Sequence, residues 1–393
     1  MSRLACPYCY QRIDGSRLWY QCTGRGSPGR PGCTPVKDED RARLTGFNES
    51  ARPSFPPTAK LSFGPAKADC PKCGAESGIR TCPQCHTPLS SNFGASESPL
   101  IAMVGAKGTG KTVFLTVLAH ELLNGLRRRF GADVRMTGVD RAAKISGFVG
   151  EVFTDQRLMP QTAEVMNGRQ APTVFEWRQQ HRVANVISRF KTTFLSFYDT
   201  AGETLDSTEK THDLTYLGAA DALILLLDPF MIPQARNQIQ LPKEAVRSEQ
   251  PAIDVLNRVT EKLRVQHNIK SSRRIKIPVA VAFAKIDAFF DVLGADHPLL
   301  RVPAQAGPYD ETAGQDTHEQ VKALLHQWGA DDIDTHLEFN YTNFRYFAVS
   351  ALGSPPDYAS STIDARGVRP FRVAEPLLWL LSQFNVVPRQ RQR

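Results

Sequence analysis

Val104-Gly105-Ala106-Lys107-Gly108-Thr109-Gly110-Lys111-Thr112 is the stretch whose reading decides the fold. Its Gly-x4-Gly-Lys-Thr spacing is that of a phosphate-binding loop. The apolar run Leu100-Ile101-Ala102-Met103 before it reads as a short buried strand. Residues 112–126 after it read as a helix, with Val113, Leu115, Val117, Leu118 and Leu122 toward the core. In that context the backbone from Gly105 through Ala106, Lys107, Gly108 and Thr109 to Gly110 wraps a phosphate with its N–H groups. The helix N-terminus adds partial positive charge. Lys111 would reach the β- and γ-phosphates, and the Thr112 hydroxyl would ligate Mg²⁺. A chance glycine-rich turn is the alternative, and it requires neither flanking element.

Working outward toward the C-terminus, strand and helix patterns alternate. Thr192-Thr193-Phe194-Leu195-Ser196-Phe197-Tyr198 reads as a strand running into Asp199-Thr200-Ala201-Gly202-Glu203. Alanine-rich residues 217–222 lead into a buried strand at 223–227. Ile253, Leu256, Val259 and Leu263 recur at helical spacing. A strand at 277–284, a helix around 319–328, a strand at 345–349 and a helix at 374–384 complete the series. This order predicts an α/β domain, a mostly parallel sheet with helices on both faces. Ligands of such folds bind at the carboxyl ends of the strands.

The first hundred residues are a different kind of polymer. They hold all eight cysteines, are rich in Gly, Pro and Ser, and show little apolar periodicity. Small modules of this kind need a metal or disulfides to fold. Cys70-Pro71-Lys72-Cys73 and Cys82-Pro83-Gln84-Cys85 are paired C-x-x-C knuckles on a short connection, the spacing of a tetrahedral zinc site with four thiolate ligands. Gly74 suits the tight turn after Cys73. Cys6-Pro7-Tyr8-Cys9 with Cys22 and Cys33 forms a looser second set, also expected to hold Zn²⁺. Redox pairs and disulfides are the alternatives, disfavoured by the absence of a βαβ context and of a signal peptide. His86 reads as a surface neighbour of the site. Arg25, Arg30, Lys67, Lys72 and Arg80 with Tyr8, Tyr10, Trp19 and Tyr20 offer a basic, aromatic surface for nucleic acid, or the same aromatics pack over the metal. Protein docking is the favoured reading.

The division expected is two four-cysteine zinc modules in 1–90, a linker at 91–99, the α/β domain in 100–386 and a basic tail at 387–393. The chain has 393 residues, 41% hydrophobic, and a formal net charge of +8. That permits an acidic partner without demanding one. No apolar run approaches the ~18 residues of a membrane span, and the N-terminus has cysteines where a signal peptide would be apolar, so the chain reads as cytoplasmic.

The motifs at 105–112, Asp199-Thr200-Ala201-Gly202, Ala284-Lys285-Ile286-Asp287 and Ser350-Ala351-Leu352 resemble, in order and context, those of the Ras-like, translation-factor class of P-loop GTPases. The resemblance covers residues 100–384. With its cysteine sets the whole chain looks like the bacterial zinc-ribbon GTPases of the double-GTPase group, associated with signalling or conflict systems. It implies GTP or GDP as ligand, a slow hydrolase acting as a molecular switch, and a protein effector or activating partner. It further implies that Asp199 holds Mg²⁺, that the Gly202 N–H senses the γ-phosphate, and that Lys285 covers the base. Asp287 would accept from guanine N1 and N2, and the Ala351 N–H would bind O6, with Ser350 shaping that loop. A first-switch threonine is needed as well. Thr162 is the choice, with Thr154 and Thr173 as competitors.

Two departures bear on that reading. Glu203 stands where glutamine often orients the attacking water, and intrinsic hydrolysis in this class can be as slow as ~10⁻⁴ s⁻¹. Ala284 stands where asparagine or threonine usually ties the base loop to the phosphate loop. The rival functions are an ATPase or kinase, a nucleotide-binding scaffold that never hydrolyses, and a zinc-ribbon nucleic-acid binder regulated by its nucleotide domain.

Overall fold

The computed structural model describes residues 3–57, 66–95, 97–137, 139–158, 172–183, 187–199, 215–242, 245 and 250–390. Its main sheet has seven strands: β1 (Leu100–Val104), β2 (Asp133–Thr137), β3 (Thr173–Val183), β4 (Ile187–Asp199), β5 (Ala222–Leu227), β6 (Val279–Phe283) and β7 (Phe344–Ala348). The spatial order is β7-β6-β5-β1-β4-β3-β2. The five strands from β7 to β4 are parallel, and β3 and β2 extend the sheet antiparallel. The expected mixed α/β architecture with a mostly parallel sheet is therefore present. Residues 173–177 read as a strand from sequence, but β2 and the antiparallel pairing of β3 were not expected.

Every residue of β1, β5 and β6 is buried, because helices cover both faces. Side chains alternate between two cores with the strand period of two. Leu100, Ala102 and Val104 enter one core with Leu223, Leu225 and Leu227. Ile101 and Met103 enter the other with Ile224 and Leu226. The first core is closed by α3 (Thr215–Ala219), α4 (Ala252–Gln266), α5 (Glu311–Gln327) and α6 (Asp331–Asn340). The second is closed by α1 (Lys111–Glu121), α2 (Val139–Phe153) and α7 (Glu375–Gln383). Leu115, Val117, Leu118 and Leu122 face the core as expected, whereas Val113 is half-buried.

The parallel register fixes where function can sit. Met103 is paired with Asp199, Val104 with Leu225, Leu227 with Phe283, and Phe283 with Ala348. Strands β1, β4, β5, β6 and β7 therefore end along one edge of the sheet.

The N-terminal region is docked on this domain. Leu4, Ile13, Leu18, Leu89 and Phe93 share a buried cluster with Val174 of β3 and Phe194 of β4. The Phe93 and Phe194 rings lie 5.4 Å apart. Arg12 donates to Asp221 at 3.0 Å, and Tyr10 meets Tyr216 of α3 edge-on. The stretch expected as a linker thus carries a buried anchor, Phe93.

This anchor generates a test. Phe194→Ala should lower unfolding free energy by about 3–5 kcal/mol, the usual cost of emptying a buried aromatic site. Arg12→Ala, which removes a partly exposed ion pair, should cost at most about 1 kcal/mol. Chemical denaturation of both variants separates the two contributions.

Candidate functional site: a sheet-edge pocket and two cysteine tetrads

The loop between β1 and α1 is built as the sequence requires. Gly110 caps α1 at φ 85°, in the left-handed region. A Cβ on Gly105 would sit 2.5 Å from the Leu226 carbonyl oxygen, so only glycine fits this close passage. Lys111 is buried, and its Nζ donates to the carbonyls of Gly105 (2.9 Å) and Ala106 (2.8 Å). Thr109 Oγ1 also donates to the Ala106 carbonyl, at 2.9 Å.

A cavity of about 410 Å³ opens beside this loop, lined by Gly108, Thr109, Gly110, Val113 and Phe114 on one side and by Ala284, Lys285, Asp287, Ser350 and Ala351 on the other. Segments far apart in sequence thus meet at the carboxyl edge of β1, β6 and β7. Lys285 takes a left-handed backbone conformation, φ 56°, and its Nζ reaches Asp228 at 2.5 Å, just past the end of β5. Enclosure raises the Asp287 carboxyl above its ordinary range, and the Ser350 hydroxyl beside it partly offsets this. The Ser350 Oγ accepts from the Gly353 N–H at 2.7 Å.

Sequence reasoning missed part of this wall. Asp228 holds the Lys285 amine, and its position directly after a strand was the available signal. Leu158, Pro356, Tyr358 and Ser361 also line the cavity. They are brought there by a strap in which the Leu158 N–H donates to Ser361 (2.9 Å) and the Ile363 N–H to Gln156 (2.8 Å). No local pattern encodes that pairing. Asp199 ends β4 on the same edge, level with Met103. Thr162, Gly202 and Glu203 lie outside the described residues. Of the competing threonines, Thr173 is fully buried at the start of β3, and Thr154 follows α2.

The eight cysteines regroup. The sequence pairs Cys70 and Cys73 with Cys82 and Cys85, and Cys6 and Cys9 with Cys22 and Cys33. The structure instead assembles Cys6, Cys9, Cys82 and Cys85 in one tetrad and Cys22, Cys33, Cys70 and Cys73 in the other. The reason is strand pairing: Trp19–Gln21 pairs antiparallel with Arg80–Thr81, which draws the knuckle after Thr81 back to the N-terminal one.

Within the first tetrad, Sγ–Sγ distances are 3.8 Å for both Cys6–Cys85 and Cys9–Cys82. In the second they are 3.4 Å for Cys22–Cys73 and 3.9 Å for Cys33–Cys70. Tetrahedral Zn²⁺ with bonds of about 2.3 Å separates its sulfurs by about 3.8 Å, so both donor sets fit that ion. Burial, then the thiols of Cys82 and Cys85, push the Cys6 thiol up. A divalent cation bound there would replace those protons.

The three knuckles share one turn. The N–H of Tyr10, Gly74 and His86 each donates to the first cysteine's carbonyl, at 2.8–2.9 Å, and each residue has positive φ. His86 neighbours the tetrad without joining it: half-buried, it stacks on Trp19 at 5.1 Å and bonds Asp38 at 2.8 Å. Tyr10 and Tyr20 are buried, and Arg80 lies over the Tyr20 ring. These aromatics are used in packing, which answers the stacking surface raised from sequence.

Compared with known proteins, the chain is 26% identical over 409 residues to SaeC of Mycolicibacterium smegmatis, named as a putative ESX-1 scaffolding and assembly protein. The match covers 97% of this chain and 99% of that protein. No protein-family model matches the chain. That relative is named for scaffolding and assembly and not for binding or hydrolysing GTP. It overturns the expectation of a translation-factor-class GTPase, of a GTP-dependent switch, of a hydrolase, and of membership in the double-GTPase group. The physical lesson is that four short motifs specify a loop and a pocket edge but no turnover. The relative instead matches the chain nearly end to end.

The tetrads generate a second test. The inner one lies wholly within the loop closed by the outer, between Cys9 and Cys82. Closing the inner tetrad shortens the outer loop about threefold, worth about 1 kcal/mol of closure entropy. Cys73→Ala should therefore weaken Zn²⁺ at the outer tetrad roughly fivefold, and Cys85→Ala should weaken the inner one equally, since coupling is reciprocal. Competition against a chromophoric chelator measures both, and independent sites would show no cross-effect.

Proposed function

We propose that this chain is a scaffold that holds partner proteins together in a larger assembly. The observation that carries the reading is the near full-length similarity to a protein named for scaffolding and assembly. The build is consistent with it. An N-terminal region gathered around two cysteine tetrads is packed on an α/β domain. Among the described residues, no helix is long and apolar enough to cross a membrane. Partners would therefore be engaged through surfaces of the folded chain.

In this reading the ligands are structural. Zn²⁺ in the two tetrads would hold the N-terminal region. A nucleoside phosphate with Mg²⁺ would occupy the sheet-edge pocket without turnover, its phosphates at residues 105–112 and its base toward Lys285, Asp287, Ser350 and Ala351. Asp199, at the end of β4, would supply a carboxylate to the metal. Support for this comes from the buried lysine, the glycine-only passage at Gly105 and the cavity that joins the two segments.

Native purification from the cell of origin tests the scaffold directly. The chain should co-elute with at least two proteins, and those proteins should part from one another when it is deleted. Partners that stay together without it would overturn the reading.

The pocket is tested separately by thermal unfolding. GTP or ATP with Mg²⁺ at about a hundred times its Kd should stabilise the chain by about 2.7 kcal/mol, and Lys111→Ala should abolish the effect. No shift with either nucleotide would remove the ligand from the account.

A further inference from the structure

The connection from α4 to β6, residues 267–278, holds Lys270, Arg273, Arg274 and Lys276 and no carboxylate. All four side chains are exposed, and among the described residues none is in an ion pair. A solvated loop is the ordinary reading of such a run, but this one is tied down. Arg264 Nη1 donates to the carbonyls of Lys270 (2.8 Å) and Arg273 (3.0 Å), and its Nη2 to Asn340 Oδ1 (2.8 Å). The Ile275 N–H donates to the Asn340 carbonyl at 2.7 Å, and the Thr342 N–H to that of Ile275 at 2.9 Å. The cations are thus carried on a turn held against the C-terminal end of α6. Ordering costs have already been met before any partner arrives.

Two exposed apolar side chains lie near the C-terminal ends of α4 and α6, the helices that hold this turn. Val265 is 74% exposed and Phe339 72% exposed. They adjoin, respectively, Arg264 and Asn340, the pair that joins the two helices. Singly such residues are ordinary. With four exposed cations on the turn held between these helix ends, they give the region both charged and apolar exposed groups. It lies at the opposite edge of the sheet from the pocket, since it precedes β6 and the pocket follows it.

We propose that this surface docks an acidic segment of a partner protein, one that carries an apolar side chain among its carboxylates. The inference rests on the scaffold reading and gives one of its partners a chemistry. Charge complementarity selects the occupant. Exposed carboxylates of Glu261 and Asp332 stand on α4 and α6, the two helices that hold the turn. An anionic membrane or a nucleic acid presents a broad field of negative charge and would press against these like charges. A narrow peptide meets the basic turn and the apolar pair alone.

Fluorescence anisotropy on the full chain provides the test, with a labelled short peptide of Glu, Asp and Leu as probe. A Lys/Leu counterpart, oligothymidylate and phosphatidylglycerol vesicles serve as comparisons. The acidic peptide should bind best. The triple variant K270E/R273E/R274E should weaken it at least about tenfold. Phe339→Ser should weaken it about fivefold with the salt dependence unchanged. Unfolding midpoints unchanged from the parent exclude misfolding. Absence of peptide binding, equal binding by the triple variant, or tighter binding of vesicles or oligothymidylate through the same residues would overturn the proposal. Such a failure leaves the scaffold reading standing, because the co-elution of partners is measured without the peptide.

Discussion

Strands β1, β5 and β6 have no solvent face. Each is apolar on both sides, so each is stable only between two layers of helix, and that requirement organises the molecule. It places α3 to α6 on one side and α1, α2 and α7 on the other. The paths from β5 to β6 through α4, and from β6 to β7 through α5 and α6, cross a face as helices, and these strands accordingly run parallel. Parallel strands end together. The loop at 105–110, Asp228, the segment at 284–287 and Ser350 meet at one edge for that reason.

The N-terminal region solves a different problem. It lacks the apolar content for a core of its own, and its structure rests on two tetrads of thiols and on borrowed surface from β3 and β4. Tyr10 and His86 adopt positive φ, which costs L-residues roughly 1–2 kcal/mol each. They are held there by the knuckle hydrogen bond and by their packing, Tyr10 against Tyr216 and His86 against Trp19. The strain is thus supported by contacts reaching beyond each knuckle.

Legibility followed the range of each interaction. The P-loop spacing, the glycine at each tight passage and the C-x-x-C knuckles are local, and each was readable from a few consecutive residues. The continuous apolar runs of β5 and β6 announced strands covered on both faces. The antiparallel addition of β3 and β2 was not readable, because the long register between β3 and β4, from Thr173 with Phe197 to Val183 with Ile187, has no signature shorter than itself. Function was misread where motif chemistry was allowed to stand for activity. The loop at 105–110, Lys285 and Asp287 border one cavity. Whether anything is turned over there depends on groups that those motifs do not contain.

The sequence by itself determined the parallel strands, most of the helices between them and the cysteine knuckles, since each follows from periodicity, backbone stereochemistry or spacing within a few residues. Only the tertiary structure decided which cysteines share a tetrad, that Lys285 is held by Asp228, and that the strap at 356–363 closes the pocket. A knuckle is equally content with either partner knuckle. The choice is made by the pairing of Trp19 with Thr81 and Tyr20 with Arg80, a contact between segments so distant in the chain that no local energy term can express it.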